Sequence, residues 1–262
     1  MPVDTDMTEQ HDPRSAPPGP RPDAPSGPAA GPVPGTPVPD APLLSRAAWA
    51  RVLPFAAWIF FIILGDMLER AGMARDALRW LYPVQAGVVA LLLAFSWRHY
   101  HELHFALPGP GQLLACSGVG LLVFVLWINL DASWMSFGLG PGYDPSTHGA
   151  IDWLLVTIRI AGAVLVVPLM EELFWRSFLM RWIAAADFEA VEPARVGLKG
   201  LLVSSLLFGV EHSLWLAGIV AGLAYAFLYM RYRNLWSAVL AHAVTNGLLG
   251  AWVVATGSWS FW

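Results

Sequence analysis

Cysteine is almost absent from this 262-residue chain. The single Cys116 excludes an intrachain disulfide framework and a cysteine-based metal cluster, and within its apolar run it reads as a small core residue rather than a nucleophile. Charge is also scarce. Only 13% of residues are Asp, Glu, Lys or Arg, against about a quarter in soluble domains. The 15 Lys and Arg form no patch of the kind nucleic acid requires, and no nucleic-acid partner is expected. No internal repeat is visible, which argues against the paired halves of many secondary transporters. The N-terminus has no basic stretch followed by an apolar core, so it does not read as a secretory signal, and the first span is expected to serve for insertion.

Apolar residues are plentiful: 56% of the chain is hydrophobic, Trp occurs 14 times and the mean hydropathy is +0.55. Apolar runs recur at about 52–68, 79–97, 111–130, 152–170, 198–211, 213–230 and 235–256. Most are long enough to cross roughly 30 Å of hydrocarbon. The expected fold is all-α, a polytopic transmembrane bundle of about seven or eight helices over residues 44–262. Residues 1–43 hold 13 of the 21 prolines; such a composition cannot bury a core and is expected to be a disordered tail.

Arg46 and Arg51 before the first span, Arg231 and Arg233 before the last, and no Arg or Lys in 131–151 favour a cytoplasmic N-terminus. Arg70, Arg75 and Arg79 fall on the opposite side in that arrangement. His99, His101 and His104 read as a solvated loop cluster rather than a metal site. Trp252, Trp259 and Trp262 are expected to form an interfacial belt.

Against this apolar background, Glu171, Glu172, Glu211, His212 and His242 stand out. A charge at the bilayer centre costs roughly 2.5–3.5 kcal/mol even on insertion scales, so such residues are functional candidates by default. The segment from Asp152 to about Ile183 reads as one helix interrupted by Pro168, where a kink or break is expected beside a wet pocket. Glu172 and Arg176 are four residues apart, the spacing of an ion pair on one helix face. Glu171 is rotated by about 100° from that face and is free to meet a reactant as a general base. A buried structural cluster of both acids with Arg176 is the bland alternative. Phe208 and His212 share one helix face, as do His242 and Asn246. Asn246 and His242 offer hydrogen bonds to an oxyanion, while His212 and Glu171 are placed to share a water. Glu211 is expected to pair with Arg159 or a backbone donor, or to lie near the membrane surface.

EELFWR (171–176), FGVEH (208–212) and HAVTN (242–246) resemble, in order, the EExxxR, FxxxH and HxxxN motifs of the CAAX protease and bacteriocin-processing (CPBP) family of intramembrane proteases, which includes the type II CAAX prenyl endopeptidases. The resemblance covers about residues 150–256. It implies an intramembrane endopeptidase acting on a membrane-associated peptide or protein, with Glu171 and His212 activating water, His242 and Asn246 holding the oxyanion, and Glu172 and Arg176 in support. A metal-free glutamate mechanism is the favoured version. Zinc on Glu171, His212 and His242 is the alternative, although no HExxH is present. WMSFGLGPGYDP, EHSLWLAG and the ending TGSWSFW resemble more narrowly the bacterial CAAX protease-related proteins encoded near exosortase systems, implying a bacterial inner membrane and a link to protein sorting. The rival readings are a catalytically silent scaffold or immunity-type binding protein and, further off, an ion or solute transporter.

Overall fold

Each long apolar run becomes a helix because hydrocarbon leaves the backbone no other partner than itself. The computed structural model describes residues 44–147 and 149–262, and the Pro-rich segment 1–43 lies outside the described residues. Helix α1 (Arg46–Arg70) is capped by Ser45, whose hydroxyl accepts from the Ala48 N–H. A short turn α2 (Arg75–Leu78) leads into α3 (Leu81–Phe95), and α4 (Pro110–Trp127) starts with proline at a position whose N–H is not needed.

A continuous helical segment, Trp153–Trp182, follows, capped by Asp152. It comprises α5 (Trp153–Ala161), a π-helical stretch Gly162–Val166, α6 (Val167–Glu172), a second π-helical stretch Leu173–Leu179 and α7 (Met180–Trp182). The break expected at Pro168 is therefore absorbed into wider turns on both sides of the glutamates. Then come α8 (Gly197–Val210), α9 (Trp215–Tyr232) and α10 (Leu235–Thr256), the last capped by Asn234.

Six helical segments are long and apolar enough to cross a membrane, which makes this an integral multi-pass membrane protein. The remaining apolar run, 198–211, falls short. At 14 residues, α8 spans about 21 Å, so its C-terminal end carries Glu211 and His212 inside the bundle instead of out to a surface. Phe95 is 92% exposed and Leu114 76%, an arrangement unfavourable in water and natural against lipid. The one strand pairing among the described residues is a two-residue antiparallel ladder, Ser146–Thr147 with Ala150–Ile151.

Small residues set the closest helix contacts. A Cβ on Gly218 would stand 2.8 Å from the Gly209 Cα, and one on Gly222 3.0 Å from the Ser205 Cα, so α8 and α9 meet nearly backbone to backbone. Gly120 does the same for α4 against α10: a Cβ there would collide with the Ala241 carbonyl and lie 2.9 Å from the Val244 Cβ.

A buried ion pair ties α1 to the loop after α3. Arg51 forks onto Glu102 with Nη2 at 2.7 and 2.8 Å from the two carboxylate oxygens, and Nε donates to Ser177 Oγ at 2.8 Å. Ser177 Oγ also donates to Glu102. Tyr100 and Leu103 turn inward with Glu102, whereas His99, His101 and His104 are exposed. The 131–151 loop sits at the other end of the bundle, where the Phe137 N–H donates to Ser213 and Arg79 donates to the Ser146 carbonyl.

Two outcomes test this packing. Gly120→Val is expected to destabilise the protein by about 1–3 kcal/mol through overpacking, read as thermal unfolding in lipid nanodiscs. Burial pushes the Glu102 pKa up, but the Arg51 charge and the hydrogen bonds from Arg51 and Ser177 outweigh it and hold the carboxyl below its ordinary range. With the folded pKa depressed, the Glu102 contribution is present above the unfolded carboxylate value and is lost as pH falls through the folded one. Acidification should therefore destabilise the wild type more than Glu102→Gln.

Candidate active site

The buried polar groups of this bundle converge on a cavity of about 300 Å³ lined by Glu171, Phe208, His212, Tyr225, His242 and Asn246, with Arg159 and Trp262 also in its wall. α6 supplies the two acids, the end of α8 supplies Phe208 and His212, and α10 supplies His242 and Asn246. Pro168 cannot donate a backbone hydrogen bond, and the π-helical stretch before it leaves the regular carbonyl ladder. The Ala163 carbonyl in that stretch accepts from Asn246 Nδ2 at 2.8 Å. One amide N–H of Asn246 is thereby used to seat the side chain, and its second N–H is left for a ligand.

The two adjacent glutamates have separate environments. Glu172 is fully buried; its Oε1 lies 3.0 Å from His242 Nδ1, and its Oε2 is in ion-pair range of Arg176 Nε at 3.1 Å without the angle of a hydrogen bond. Arg176 reaches past this pair, donating from Nη2 to the Gly222 carbonyl at 3.3 Å and covering the Phe208 ring at 4.3 Å. Glu171, only 4% exposed, faces the cavity, and its Oε2 has no hydrogen-bond partner in the protein. The structure thus separates Glu171 from the Glu172–Arg176–His242 cluster.

Hydrogen bonding also assigns the histidine rings. His212 Nδ1 lies 2.7 Å from the Phe208 carbonyl, an acceptor only, so Nδ1 carries the proton and Nε2 keeps a lone pair. The His212 ring packs edge-on to Trp127 at 5.3 Å and against Phe208 at 4.7 Å. His242 stacks on Tyr225 at 4.9 Å and 17°. For His242 Nε2 to donate, Nδ1 must either accept a proton held by Glu172 or donate to that carboxylate from a ring carrying both protons.

Some of the expected contacts differ. Glu211 accepts from Trp175 Nε1 at 3.2 Å rather than pairing with Arg159, because the short α8 brings it against the motif helix. Arg159 instead lies over the rings of Tyr82 and Tyr143. Trp252 packs edge-on to Phe261, while Trp262 turns into the cavity wall rather than lying only in an interfacial belt.

Tyr225 and Thr245 were not picked out by the motif spacing. The Tyr225 hydroxyl donates to Thr245 Oγ1 at 2.7 Å, and that oxygen lies 2.9 Å from the Gly120 carbonyl and 3.1 Å from the Ala241 carbonyl. This chain fixes the phenol ring beneath His242. A phenol four residues from a second one, Tyr229, on the same span, with a threonine between His242 and Asn246, was the available sequence signal.

Zinc would need its donors gathered around one point. Among the described residues, no group of three His, Cys, Asp or Glu side chains is arranged to hold a metal ion. The Nδ1 atoms of both cavity histidines are already engaged.

Residues 153–248 match the family described as Rce1-like, type II CAAX prenyl endopeptidase Rce1-like. The chain is also similar to the protein named "Putative membrane peptidase YdiL" of Bacillus subtilis (strain 168), with 27% identity over 142 residues, 53% of this chain and 54% of that protein. It therefore spans about half the length of this curated relative. No solved structure matches. The matched segment contains Glu171, His212, His242 and Asn246 and ends just beyond the last of them, so residues 153–248, which carry the site, are similar to the type II CAAX prenyl endopeptidase family.

Proposed function

We propose that this protein is an intramembrane endopeptidase that hydrolyses a membrane-associated peptide or protein. The observation that carries the reading is the environment of Glu171: a buried carboxylate with one oxygen lacking any protein partner, in the wall of a cavity shared with His212, His242 and Asn246. A buried polar atom left unpaired is costly, and the carboxylate that carries it lines the cavity.

In the proposed reaction, a water donates one hydrogen bond to the Glu171 carboxylate and the other to the lone pair on His212 Nε2. As the water oxygen bonds to the peptide carbonyl carbon, its proton passes to Glu171. The carbonyl oxygen becomes an oxyanion, which accepts from the free Asn246 N–H and from His242 Nε2. Collapse of the tetrahedral species breaks the C–N bond, and the departing amine takes the proton held by Glu171. Glu172 and Arg176 position His242, while Tyr225 supports its ring from the opposite face.

The family match over residues 153–248 and the multi-pass character support a peptidase working in a bilayer. The narrower resemblance to proteins encoded near exosortase systems puts precursors of sorted surface proteins in a bacterial inner membrane first among substrates to screen.

The test is mass spectrometry of new carboxyl termini in membrane proteomes of cells expressing wild type, Glu171→Ala or His242→Ala at equal abundance. A product present with wild type and lost by at least about a hundredfold in both variants is expected, consistent with removal of general-base and oxyanion groups. If no product depends on Glu171 while a wild-type phenotype survives its loss, a binding or scaffold protein replaces the enzyme. Adding a chelator separates the two chemistries: unchanged cleavage is expected, and cleavage restored by added zinc after chelation contradicts the metal-free step.

A further inference from the structure

Gln85 is an amide in a span that otherwise offers almost no hydrogen bonds. From Leu81 to Phe95, only Gln85 and the Tyr82 phenol carry polar side-chain groups. Gln85 is 7% exposed and lines the cavity that holds Glu171, His242 and Asn246. The proposed reaction makes no use of it, and it stands outside the residues 153–248 that match the family.

One end of this amide is fixed. Its Nε2 donates to the Trp58 carbonyl at 3.0 Å and ties α3 to α1. The other end is open. Among the described residues nothing donates to Oε1, and this oxygen keeps accessible surface, unlike the unpaired Glu171 Oε2. An amide carbonyl without a partner is costly in apolar surroundings. Tying two helices together uses only half of the group.

The depth of Gln85 matches that of Asn246. α3 runs beside the motif helix in the same direction: Tyr82 reaches the Arg159 carbonyl, and Ala90, Leu93 and Trp97 share a groove with Leu165 and Leu169. Gln85 falls between those contacts, within about one helical turn of Ala163, on which Asn246 is seated. Both α3 and α10 pack against this π-helical stretch. The cavity therefore holds a free amide N–H on Asn246 and a free amide C=O on Gln85 at nearly the same level.

A bound peptide needs both kinds of partner. A trans peptide group points its N–H opposite to its C=O. When the scissile carbonyl turns to Asn246 and His242, the other edge of the substrate presents N–H groups that must also be satisfied.

We propose that Gln85 is a substrate-binding residue whose Oε1 accepts a backbone N–H on the edge of the peptide opposite the scissile carbonyl. Gln85 and Asn246 then grip the substrate by its main chain, whatever its side chains. This rests on the peptidase reading for the substrate's orientation, but the hydrogen bond is measurable without turnover.

The test uses Glu171→Gln protein in nanodiscs of phosphatidylcholine and phosphatidylglycerol. The probes are pools of apolar hexapeptides with fluorescein on the N-terminus and a carboxamide at the other end. One pool is all amide; in each of the others a single backbone N–H is replaced by an ester oxygen, at a different position in each pool. At least one ester pool should bind about fivefold more weakly than the all-amide pool, as loss of one hydrogen bond gives. Gln85→Met should weaken the all-amide pool by a similar factor and erase the penalty at that ester position. Binding no greater than to empty nanodiscs, or equal binding of every pool, overturns the proposal. So do ester penalties that all survive Gln85→Met. If Gln85→Met weakens every pool alike, the amide only ties α3 to α1 and the substrate assignment falls. Incubating the all-amide pool with protein retaining Glu171 separates the two claims. A Gln85-dependent ester penalty without Glu171-dependent cleavage removes the peptidase reading and leaves a peptide-binding residue, whereas Glu171-dependent cleavage unchanged by Gln85→Met does the reverse.

Discussion

The Glu172 carboxylate, fully buried between Arg176 and His242, is the constraint on which the site depends. One oxygen meets the guanidinium on its own helix, and the other meets an imidazole 70 residues further along the chain, so this side chain sets the depth and rotation of α6 against α10. Removing one partner from such a buried group leaves an uncompensated charge, at a cost of about 3–5 kcal/mol. Arg176 extends the cluster to α9 through Gly222, and Tyr225 on α9 stacks beneath His242. Three helices are thus registered by one carboxylate and its two partners, and Glu171 is left clear to face the cavity.

The backbone of the motif helix contributes in a second way. A regular helix around Pro168 would have lost a hydrogen bond and strained its preceding turn. The π-helical stretch Gly162–Val166 relieves this, and the Ala163 carbonyl is taken up by Asn246. Small residues do comparable work elsewhere: Gly120 brings α4 against α10, where the Thr245 hydroxyl that accepts the Tyr225 hydrogen bond lies beside the Gly120 carbonyl. The short α8 completes the arrangement by ending inside the bundle with His212 at the cavity.

The helices were readable because apolar runs of membrane length have few alternatives, and the different surroundings of Glu171 and Glu172 were readable from a 100° rotation between neighbours. The i,i+4 pairing of Glu172 with Arg176 follows from the same local geometry. Contacts between distant residues were not readable. Nothing in spacing joins Glu172 to His242, sends Glu211 to Trp175, or gathers Tyr82, Tyr143 and Trp262 around Arg159. The π-helical turns were also hidden: proline marks a disturbance, but the packing of neighbouring helices decides whether it becomes a kink, a break or a wider turn.

The central claim is that adjacent acids of one motif divide into a strut, Glu172, and an unbonded carboxylate, Glu171. The most direct measurement is the unfolding free energy of Glu171→Gln and Glu172→Gln in the same lipid nanodisc. Glu172→Gln should lose about 3 kcal/mol or more, because it strands Arg176 and His242, whereas Glu171→Gln should unfold at or above the wild-type stability, because it removes a buried charge with an unpaired oxygen. Equal losses from both substitutions, or a larger loss from Glu171→Gln, would contradict the account.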